Sequence, residues 1–272
     1  MYIVEAVPAV ILGVVCFFYL TDHPADAHWL TDKQRNWLIN TLAQEERNKP
    51  LVVGVQPTKG QMIRKALCNR QVWLLALVYF GITSGSNAMN FFMPTVLASF
   101  RGTFGLEIGL MQNGLITAIP YAVAAVAMIW WSRRSDRRKE RKMHTILPYL
   151  FAAAGWLLAS ATHHSLIQLI GIIMASVGSF TAMAIFWTTP DRVISLQSRA
   201  VALAVINAIG NIGSAVSPLL IGILRDATGS FSSGLWFVAG LLIVGALVLT
   251  RIPMSAREDA AAEAGLAAQK SH

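Results

Sequence analysis

A short basic segment between two uncharged apolar runs limits the folds that are open to this chain. The segment from Trp131 to His144 carries seven Lys or Arg residues. No Asp, Glu, Lys or Arg occurs in residues 108–132 or in residues 143–190. Runs of this length favour transmembrane helices, and basic clusters between them stay on the cytoplasmic side of the bilayer. The pattern therefore predicts a polytopic membrane protein whose orientation this segment sets.

Composition supports the membrane class and argues against two others. The 272-residue chain is 55% hydrophobic and only 13% charged, with a mean hydropathy of +0.53. Its net charge of +8 would suit a nucleic-acid binder, but the basic residues fall between apolar runs, where the orientation bias accounts for them. We therefore expect no nucleic-acid partner. Cys16 lies in an apolar run and Cys68 in a basic segment, so we expect no disulfide framework.

The apolar runs predict an all-α membrane protein with seven transmembrane helices. The uncharged block of 48 residues is too long for one crossing, and the pair His163-His164 divides it. The expected spans are residues 1–20, 72–100, 108–131, 144–162, 165–188, 200–224 and 233–250.

The remaining residues form a polar central segment and a polar tail. In the central segment, 21–71, Thr31-x-x-Gln34 is typical of a capping box that opens an amphipathic helix ending near Arg47. Residues 50–60 are rich in Pro and Gly and indicate a linker. We therefore divide the chain into a first helix (1–20), a central loop (21–71), a six-helix domain (72–252) and a tail (253–272).

The distribution of basic residues predicts the orientation. With these spans, 20 of the 22 Lys and Arg residues lie on one side, and only Arg101 and Arg225 lie on the other. This bias places the central loop and the C-terminus in the cytoplasm. An odd number of spans then places Met1 outside, from which we expect that an upstream part of the protein is missing from this sequence.

Two short matches indicate an internal repeat within residues 72–252. An Asn is followed seven residues later by Pro in the middle helix of each triplet, at Asn113 and again at Asn211. The first helix of each triplet also ends on an aromatic pair near a proline, in residues 91–94 and 186–190. These matches are what a 3+3 inverted repeat of three-helix units leaves in a sequence.

Three stretches resemble the major facilitator superfamily of transporters. SDRRKERKMH (135–144) is similar to the loop between the second and third helices of each half, although Ser132 and Lys139 stand where glycines are usual. Its D-R-x-x-E-R-x-x-H form resembles the anion:cation symporters, which carry organic acids such as tartrate, galactonate, hexuronates and phthalate. Residues 8–38 look like the sixth helix and central loop of that branch, and residues 206–231 like its eleventh helix.

The resemblance implies that the chain is the last helix of a first half, the central loop and the second six-helix half. The missing partner would be the rest of the N-terminal half. That half would also supply the titratable acid and the cation that the branch uses for coupling and for carboxylate recognition. Residues 72–100 and the later spans contain no mid-membrane charge, which agrees with this division.

One face of the second span collects polar and small side chains. Steps of 4, 4, 3 and 4 residues place them on one helical stripe, and they are Tyr79, Thr83, Asn87, Asn90 and Pro94. Within a bilayer such a face points into the bundle or into a cavity. Tyr79, Asn87 and Asn90 are therefore candidate substrate contacts, and helix–helix packing is the alternative for each.

The sixth span carries a second stripe with Asn207 and Asn211, which could donate hydrogen bonds to an organic acid. The resemblance implies that an Asn in this helix and a Trp at the end of the preceding span line the substrate cavity. The matching positions are Asn207 and Trp187; packing is the alternative for the asparagines and interface anchoring for the tryptophan. Asn113, Thr117 and Tyr121 form a weaker third stripe.

The resemblance also implies a gating loop that contains Asp136, Arg137 and Arg141. In the family this loop pairs with helix ends and shifts the equilibrium between the inward-facing and outward-facing states of the transporter. The alternative is that these charges only fix the orientation of the helices in the membrane. The sequence contains no HExxH, GxSxG or Walker motif, and His163-His164 is too isolated for a metal site. We expect no catalytic residues, no metal and no cofactor.

These features predict a fragment of a secondary transporter for small organic anions such as sugar acids or dicarboxylates, in a bacterial inner membrane. It would be coupled to protons or sodium and would work by alternating access. Its partners would be the substrate, the lipid bilayer and the N-terminal half. A non-transporting membrane sensor and an inactive transporter relic remain the alternatives.

Overall fold

The computed structural model describes residues 2–21, 23–48, 58–104, 110–138, 140–162, 164–194 and 198–252, and all regular structure in these ranges is helical. Contacts divide the chain into two compact units, Met1–Gln56 and Pro57–His272. The helices are α1 Tyr2–Tyr19, α2 Asp32–Asn48, α3 Lys59–Leu67, α4 Arg70–Phe104, α5 Leu110–Arg138, α6 Lys142–Ser160, α7 Ser165–Phe186, α8 Pro190–Val193, α9 Arg199–Thr228 and α10 Ser232–Arg251.

Six of these helices are long and apolar enough to cross a membrane. They are α4, α5, α6, α7, α9 and α10, and all six belong to the second unit. The predicted all-helical, multi-pass character is thus confirmed. The apolar part of α1, Ala6–Tyr19, is shorter than these spans, so a seventh crossing stays a prediction.

In the first unit, hydrogen bonds fix the start of α2 where the sequence places a capping box. The backbone N–H of Thr31 donates to Gln34 Oε1 at 3.2 Å, and the N–H of Gln34 donates to Thr31 Oγ1 at 3.4 Å. The guanidinium of Arg35 donates to the carbonyl oxygens of Ala27 and Leu30 at 3.1 and 3.3 Å. These bonds tie the turn before α2 to its first turn, as expected for reciprocal capping.

The helix α3 is not predicted by the sequence pattern. It begins at Lys59, inside the segment that we interpreted as a linker, and the backbone N–H of Thr58 donates to Gln61 Oε1 at 3.0 Å. The rest of that segment, residues 50–57, lies outside the described residues. Since α3 packs on α9 and ends three residues before α4 begins, it belongs structurally to the helical bundle.

In the second unit, α4 occupies the centre of the bundle and packs against α7, α9 and α10. The hairpin of α6 and α7 is the closest pair, because small residues face each other along it. An added Cβ on Gly155 would lie 2.6 Å from the carbonyl oxygen of Gly171, and one on Gly178 would lie 2.4 Å from that of Pro148. Small residues at helix contacts allow such close backbone approach in membranes.

The basic segment corrects one prediction. The expected spans end at residue 131 and begin again at residue 144, which left a loop between them, but α5 continues as a helix to Arg138 and α6 begins at Lys142. Asp136 and Arg137 therefore lie in the last turns of α5, not in a loop. Arginine is a good helix former, and cations are favourable near a helix C-terminus, so the segment extends the helix beyond its apolar part.

Two further boundaries differ from the expected spans. The helix α4 continues past Arg101 to Phe104, and α9 continues past Arg225 to Thr228, so both arginines lie in helix ends rather than in loops. The left-handed conformation of Gly229, with φ of 71°, ends α9, and its N–H donates to the carbonyl oxygen of Arg225 at 2.7 Å. The division near His164 is confirmed, since α6 ends at Ser160 and α7 begins at Ser165. The predicted tail, 253–272, lies outside the described residues.

Candidate functional site

The seam between α4 and α9 holds the polar stripes that the sequence analysis selected. The hydroxyl of Thr83 donates to the carbonyl oxygen of Gly210 at 2.5 Å, and that of Ser84 to Gly213 at 3.3 Å. The hydroxyl of Ser217 returns a bond to the carbonyl oxygen of Ser84 at 3.3 Å. Residue numbers rise together along both helices, so the two helices run parallel with their backbones in close contact.

Asn87 lies within this seam. Its Nδ2 donates to Ser214 Oγ and to the carbonyl oxygen of Thr83, both at 2.9 Å. Both amide hydrogens are thus used inside the bundle, which is the packing role that we weighed against substrate contact. A polar side chain in hydrocarbon finds partners of this kind on a neighbouring helix.

Tyr79 is also packed, in an aromatic cluster at the end of α7. Its side chain is buried, with a ring centroid 5.3 Å from that of Phe186 and 4.8 Å from that of Trp187. On the other side the ring lies directly against Gly210 of α9. Trp187 itself is half-buried. The structure therefore brings Tyr79 and Trp187 together but leaves only Trp187 partly accessible.

Asn207 and Asn211 form an exposed amide pair on α9. The Nδ2 of Asn211 donates to the carbonyl oxygen of Asn207 at 2.9 Å and to Asn207 Oδ1 at 2.6 Å. Because a backbone carbonyl can only accept, this geometry determines which end of the Asn211 amide faces Asn207. The Nδ2 of Asn207 then points away from the pair as a donor, and it forms no hydrogen bond with the described residues.

Asn90 lies one turn beyond Asn87 and is exposed. Its Oδ1 accepts a hydrogen bond from the hydroxyl of Tyr121 on α5 at 3.3 Å. These two residues lie on separate stripes in the sequence, and the contact between them depends on the placement of α4 and α5. Thr117, on the Tyr121 stripe, is half-buried, and the side chain of Asn113 lies outside the described residues.

The arrangement separates the candidate residues into a packed group and an accessible group. The Asn87–Ser214 bond lies between the two accessible asparagine positions. On α9, Asn211 comes three residues before Ser214, and on α4, Asn90 comes three residues after Asn87. Because the helices are parallel, the two positions lie about one turn from the bond in opposite directions. The accessible group is Asn207, Asn211, Asn90, Tyr121 and the partly exposed Trp187. These side chains offer amide, phenol and indole groups, which suit a polar ligand.

The other predicted group lies where α5 meets α6. The guanidinium of Arg141 pairs with Asp136 and also donates to Ser135 Oγ at 3.0 Å. The hydroxyl of Ser135 in turn donates to the carbonyl oxygen of Glu140 at 2.8 Å. Arg137 is exposed and stands apart from this network. Two of the three predicted gating residues are therefore brought together.

Lys142 is a connecting residue that the sequence analysis missed. Its Nζ donates to the carbonyl oxygens of Thr250 at 2.8 Å and Ile252 at 3.1 Å, at the end of α10. A cation at a helix C-terminus satisfies carbonyls that lack partners within the helix. The sequence could not single out Lys142 for this role. Its position beside an apolar run is shared by the other basic residues of the segment.

No cluster suited to a metal ion was found: no group of three or more His, Cys, Asp or Glu residues comes together in the part of the chain that the structure describes. The accessible group itself consists of neutral hydrogen-bonding side chains on apolar helices. Such a surface can bind and orient a polar molecule.

Comparison with known proteins places the chain in a family. The family model described as Major Facilitator Superfamily matches residues 1–218. Two proteins of Agrobacterium vitis, each named "Putative tartrate transporter", are 38% and 37% identical over 91% and 95% of this chain, and over 52% and 57% of their own lengths. A "Quinolone resistance transporter" of Acinetobacter baumannii is 30% identical over 93% of this chain and 55% of its own length.

The chain spans about half the length of these curated relatives. All three are named transporters, which agrees with the prediction that the chain is not an enzyme. The family model covers most of the chain, including α4 and most of α9. The chain therefore belongs to the Major Facilitator Superfamily.

Proposed function

We propose that this chain forms part of a secondary transporter for small organic anions and supplies one wall of the substrate path. The observation that carries the proposal is the exposed amide pair Asn207–Asn211, in which Asn207 is oriented as a donor. Carboxylates and hydroxyls of an organic acid accept such hydrogen bonds. The names of the Agrobacterium vitis relatives, which refer to tartrate, support the same class of substrate.

The accessible residues have distinct roles in this proposal. Asn207 and Asn211 contact the anion, the indole of Trp187 limits one side of the site, and Asn90 with Tyr121 limits the other. Tyr79 and Asn87 act indirectly, because both are packed against α9 and hold that helix in place. Their replacement would move the amide pair rather than remove a substrate contact.

The mechanism in this proposal is alternating access, coupled to protons or sodium. The six helices of the second unit, with their expected 3+3 repeat, would rock against an N-terminal half around a site near the middle of the bilayer. Residues 72–100, at the centre of the bundle, carry no Asp, Glu, Lys or Arg, so the coupling acid would come from that partner half. The Asp136–Arg141 pair would hold α5 and α6 together as part of the gate.

Tartrate uptake by bacterial cells that lack their own tartrate transport tests the proposal. The chain is expressed alone, and also together with the N-terminal half of an Agrobacterium vitis relative. We expect uptake above background only from the pair. Uptake by the chain alone would contradict the need for a second half. The absence of uptake of tartrate and of a panel of sugar acids by the pair would favour the sensor or relic.

The role of Asn207 is tested in the same cells. Removing one donor from a bound anion should raise KM about tenfold, as the loss of one hydrogen bond to a charged group predicts. Asn207→Ala is compared with Ile212→Ala, an exposed apolar position on the same helix. An equal change in KM for both variants would mean that Asn207 is a surface residue of α9 that does not contact the substrate.

A further inference from the structure

The first turns of α4 and the end of α10 enclose a cavity of about 340 Å³. Its lining consists of Arg70, Gln71 and Leu74 from α4, of Arg251, which ends α10, and of Ile252, which follows it. None of these residues belongs to α5 or α9, the helices that carry most of the accessible site. The proposed transport function gives this cavity no role.

The positive charge around this cavity lacks a counter-charge. Neither Arg70 nor Arg251 forms an ion pair with another side chain in the part of the chain that the structure describes. Lys142 of α6 adds a third cation to this corner, because its Nζ binds carbonyl oxygens at the end of α10. The helix α4 begins with Arg70 and has no acid in its first turn, although negative charge is what favours a helix N-terminus. A carboxylate in the cavity would therefore offset charges from three helices.

The chain itself supplies carboxylates next to this cavity. Residue 253 follows Ile252 directly, and Glu258 and Asp259 come six and seven residues after Ile252. Residues 253–263 contain three acids, of which Glu263 is the last, and one cation, Arg257. Six extended residues reach at most about 20 Å, which is enough to cross a cavity of this size. Because the segment is tethered at the cavity, its effective concentration there is high.

We propose that the segment 253–263 binds in this cavity. The carboxylates of Glu258 and Asp259 lie against the two arginines that line it. A guanidinium binds a carboxylate through two parallel hydrogen bonds, and a carboxylate near the start of α4 also favours the helix dipole. A single exposed ion pair contributes little, but here two pairs act together with a short tether. The contact joins α10 to α4 at the end where α6 also holds α10.

Disulfide trapping in the full 272-residue chain in detergent tests this proposal. Cys16 and Cys68 are first replaced by Ser. Gln71→Cys then places a thiol in the cavity, and Ala260→Cys places one beside Asp259. A disulfide forms only when the two Cα atoms come within about 7 Å of each other. A mild oxidant starts the reaction, and the mass after maleimide labelling counts the thiols that remain.

The control pair keeps Gln71→Cys and moves the second cysteine to Ala268→Cys, farther along the same segment of chain. Doubling the tether length lowers the effective concentration of a segment without a binding site by only about threefold. We expect the pair with residue 260 to form its disulfide about tenfold faster than the control pair, because binding adds to the tether. A ratio no larger than the tether predicts would overturn the proposal.

Charge variants of the first cysteine pair test whether the arginines hold the segment. Glu258→Gln/Asp259→Asn should slow trapping about fivefold, whereas Glu263→Gln, the control, should have less than half of that effect. Arg70→Glu/Arg251→Glu should slow trapping as well, and adding Glu258→Arg/Asp259→Arg should restore it, because the reversed charges attract again. Equal effects of the two acid variants, or no recovery in the reversed protein, would contradict a contact between these charges.

Two further arms test other occupants of the cavity. Co-expression with the N-terminal half of an Agrobacterium vitis relative should leave the trapping rate unchanged, and a fall to the control rate would assign the cavity to that half. Vesicles of phosphatidylglycerol and of phosphatidylcholine should give equal trapping rates. A fall to the control rate in phosphatidylglycerol alone would assign the arginines to an anionic headgroup and would overturn the proposal.

Discussion

Gly210 is the residue at which the packing of α4 on α9 is most restricted. An added Cβ would lie 1.9 Å from Tyr79 Cδ1 and 2.6 Å from its Cε1. The tyrosine ring cannot retreat, because Phe186 and Trp187 pack against it. The absence of a side chain at this position therefore determines the distance between the two helices.

We predict that Gly210→Ala destabilises the bundle by about 1–3 kcal/mol, as overpacking of a core usually does. Gly222→Ala on the same helix is the control, since no atom lies within 4 Å of its added Cβ. That change should be neutral or stabilising by about 0.5–1 kcal/mol, because alanine is the better helix former. Thermal unfolding of both variants in detergent gives the comparison, and equal melting temperatures would contradict the close contact.

Asn87 and Ser214 allow the packing role of an asparagine to be measured directly. A double-mutant cycle of Asn87→Ala and Ser214→Ala should give a coupling energy of about 0.6 kcal/mol, the average for such bonds between membrane helices. The distant Ser233→Ala replaces Ser214→Ala in the control cycle and should show additivity. Equal coupling in the two cycles would mean that the observed 2.9 Å bond does not contribute to stability.

At the scale of elements, the end of α10 depends on a side chain from α6. The Nζ of Lys142 binds two carbonyl oxygens at the C-terminus of α10, those of Thr250 and Ile252. The last carbonyls of a helix have no partner within it, so a lysine from a neighbouring helix replaces the missing donors. This contact connects the two helices at the end where α5 also meets α6.

Replacing Lys142 by Met keeps the length of the side chain and removes the donor. We expect amide hydrogen exchange at residues 249–252 to become about fivefold faster, as the loss of roughly 1 kcal/mol predicts for a partly exposed bond. Exchange in α9 should stay unchanged. Lys59→Met, at an exposed position in α3, is the control; a comparable acceleration at 249–252 in that variant would contradict a local cap.

At the scale of the whole molecule, the positive charge of the α5–α6 connection predicts its side of the membrane. Arg138 ends α5, whereas Ala161 follows α6 at the opposite end of that helix. With Cys16 and Cys68 replaced by Ser, Ala161→Cys should react with an impermeant maleimide in intact cells, and Arg138→Cys only after lysis. The chain without cysteines provides the background. Labelling of both positions from outside would contradict the predicted crossing of α6.

The number and positions of the six long helices could be predicted because hydrocarbon acts on each segment separately. A run such as residues 165–188 has to satisfy its own backbone polar groups as a helix, whichever helices surround it. The start of α2 could be predicted for a similar reason, since Thr31 and Gln34 cap it locally. The extension of α5 to Arg138 could not, because a basic sequence after an apolar run is compatible with either a helix or a loop.

The candidate site was predicted as a set of residues but not as an arrangement. Asn87 and Asn207 look alike in the sequence, on polar stripes of two apolar helices. Only the packing of α4 against α9 makes the first bond to Ser214 in a partly buried seam and leaves the second exposed beside Asn211. The contact of Asn90 with Tyr121 likewise depends on how α4 and α5 are placed.

The sequence by itself determined that this chain contains long apolar helices, two of which are joined by a strongly basic segment, because apolar length and charge act on each segment independently of its neighbours. Only the tertiary structure decided which face of each helix is packed and which is accessible. Hydrogen bonds and close contacts between helices depend on the relative rotation of two elements, and no single segment contains that information.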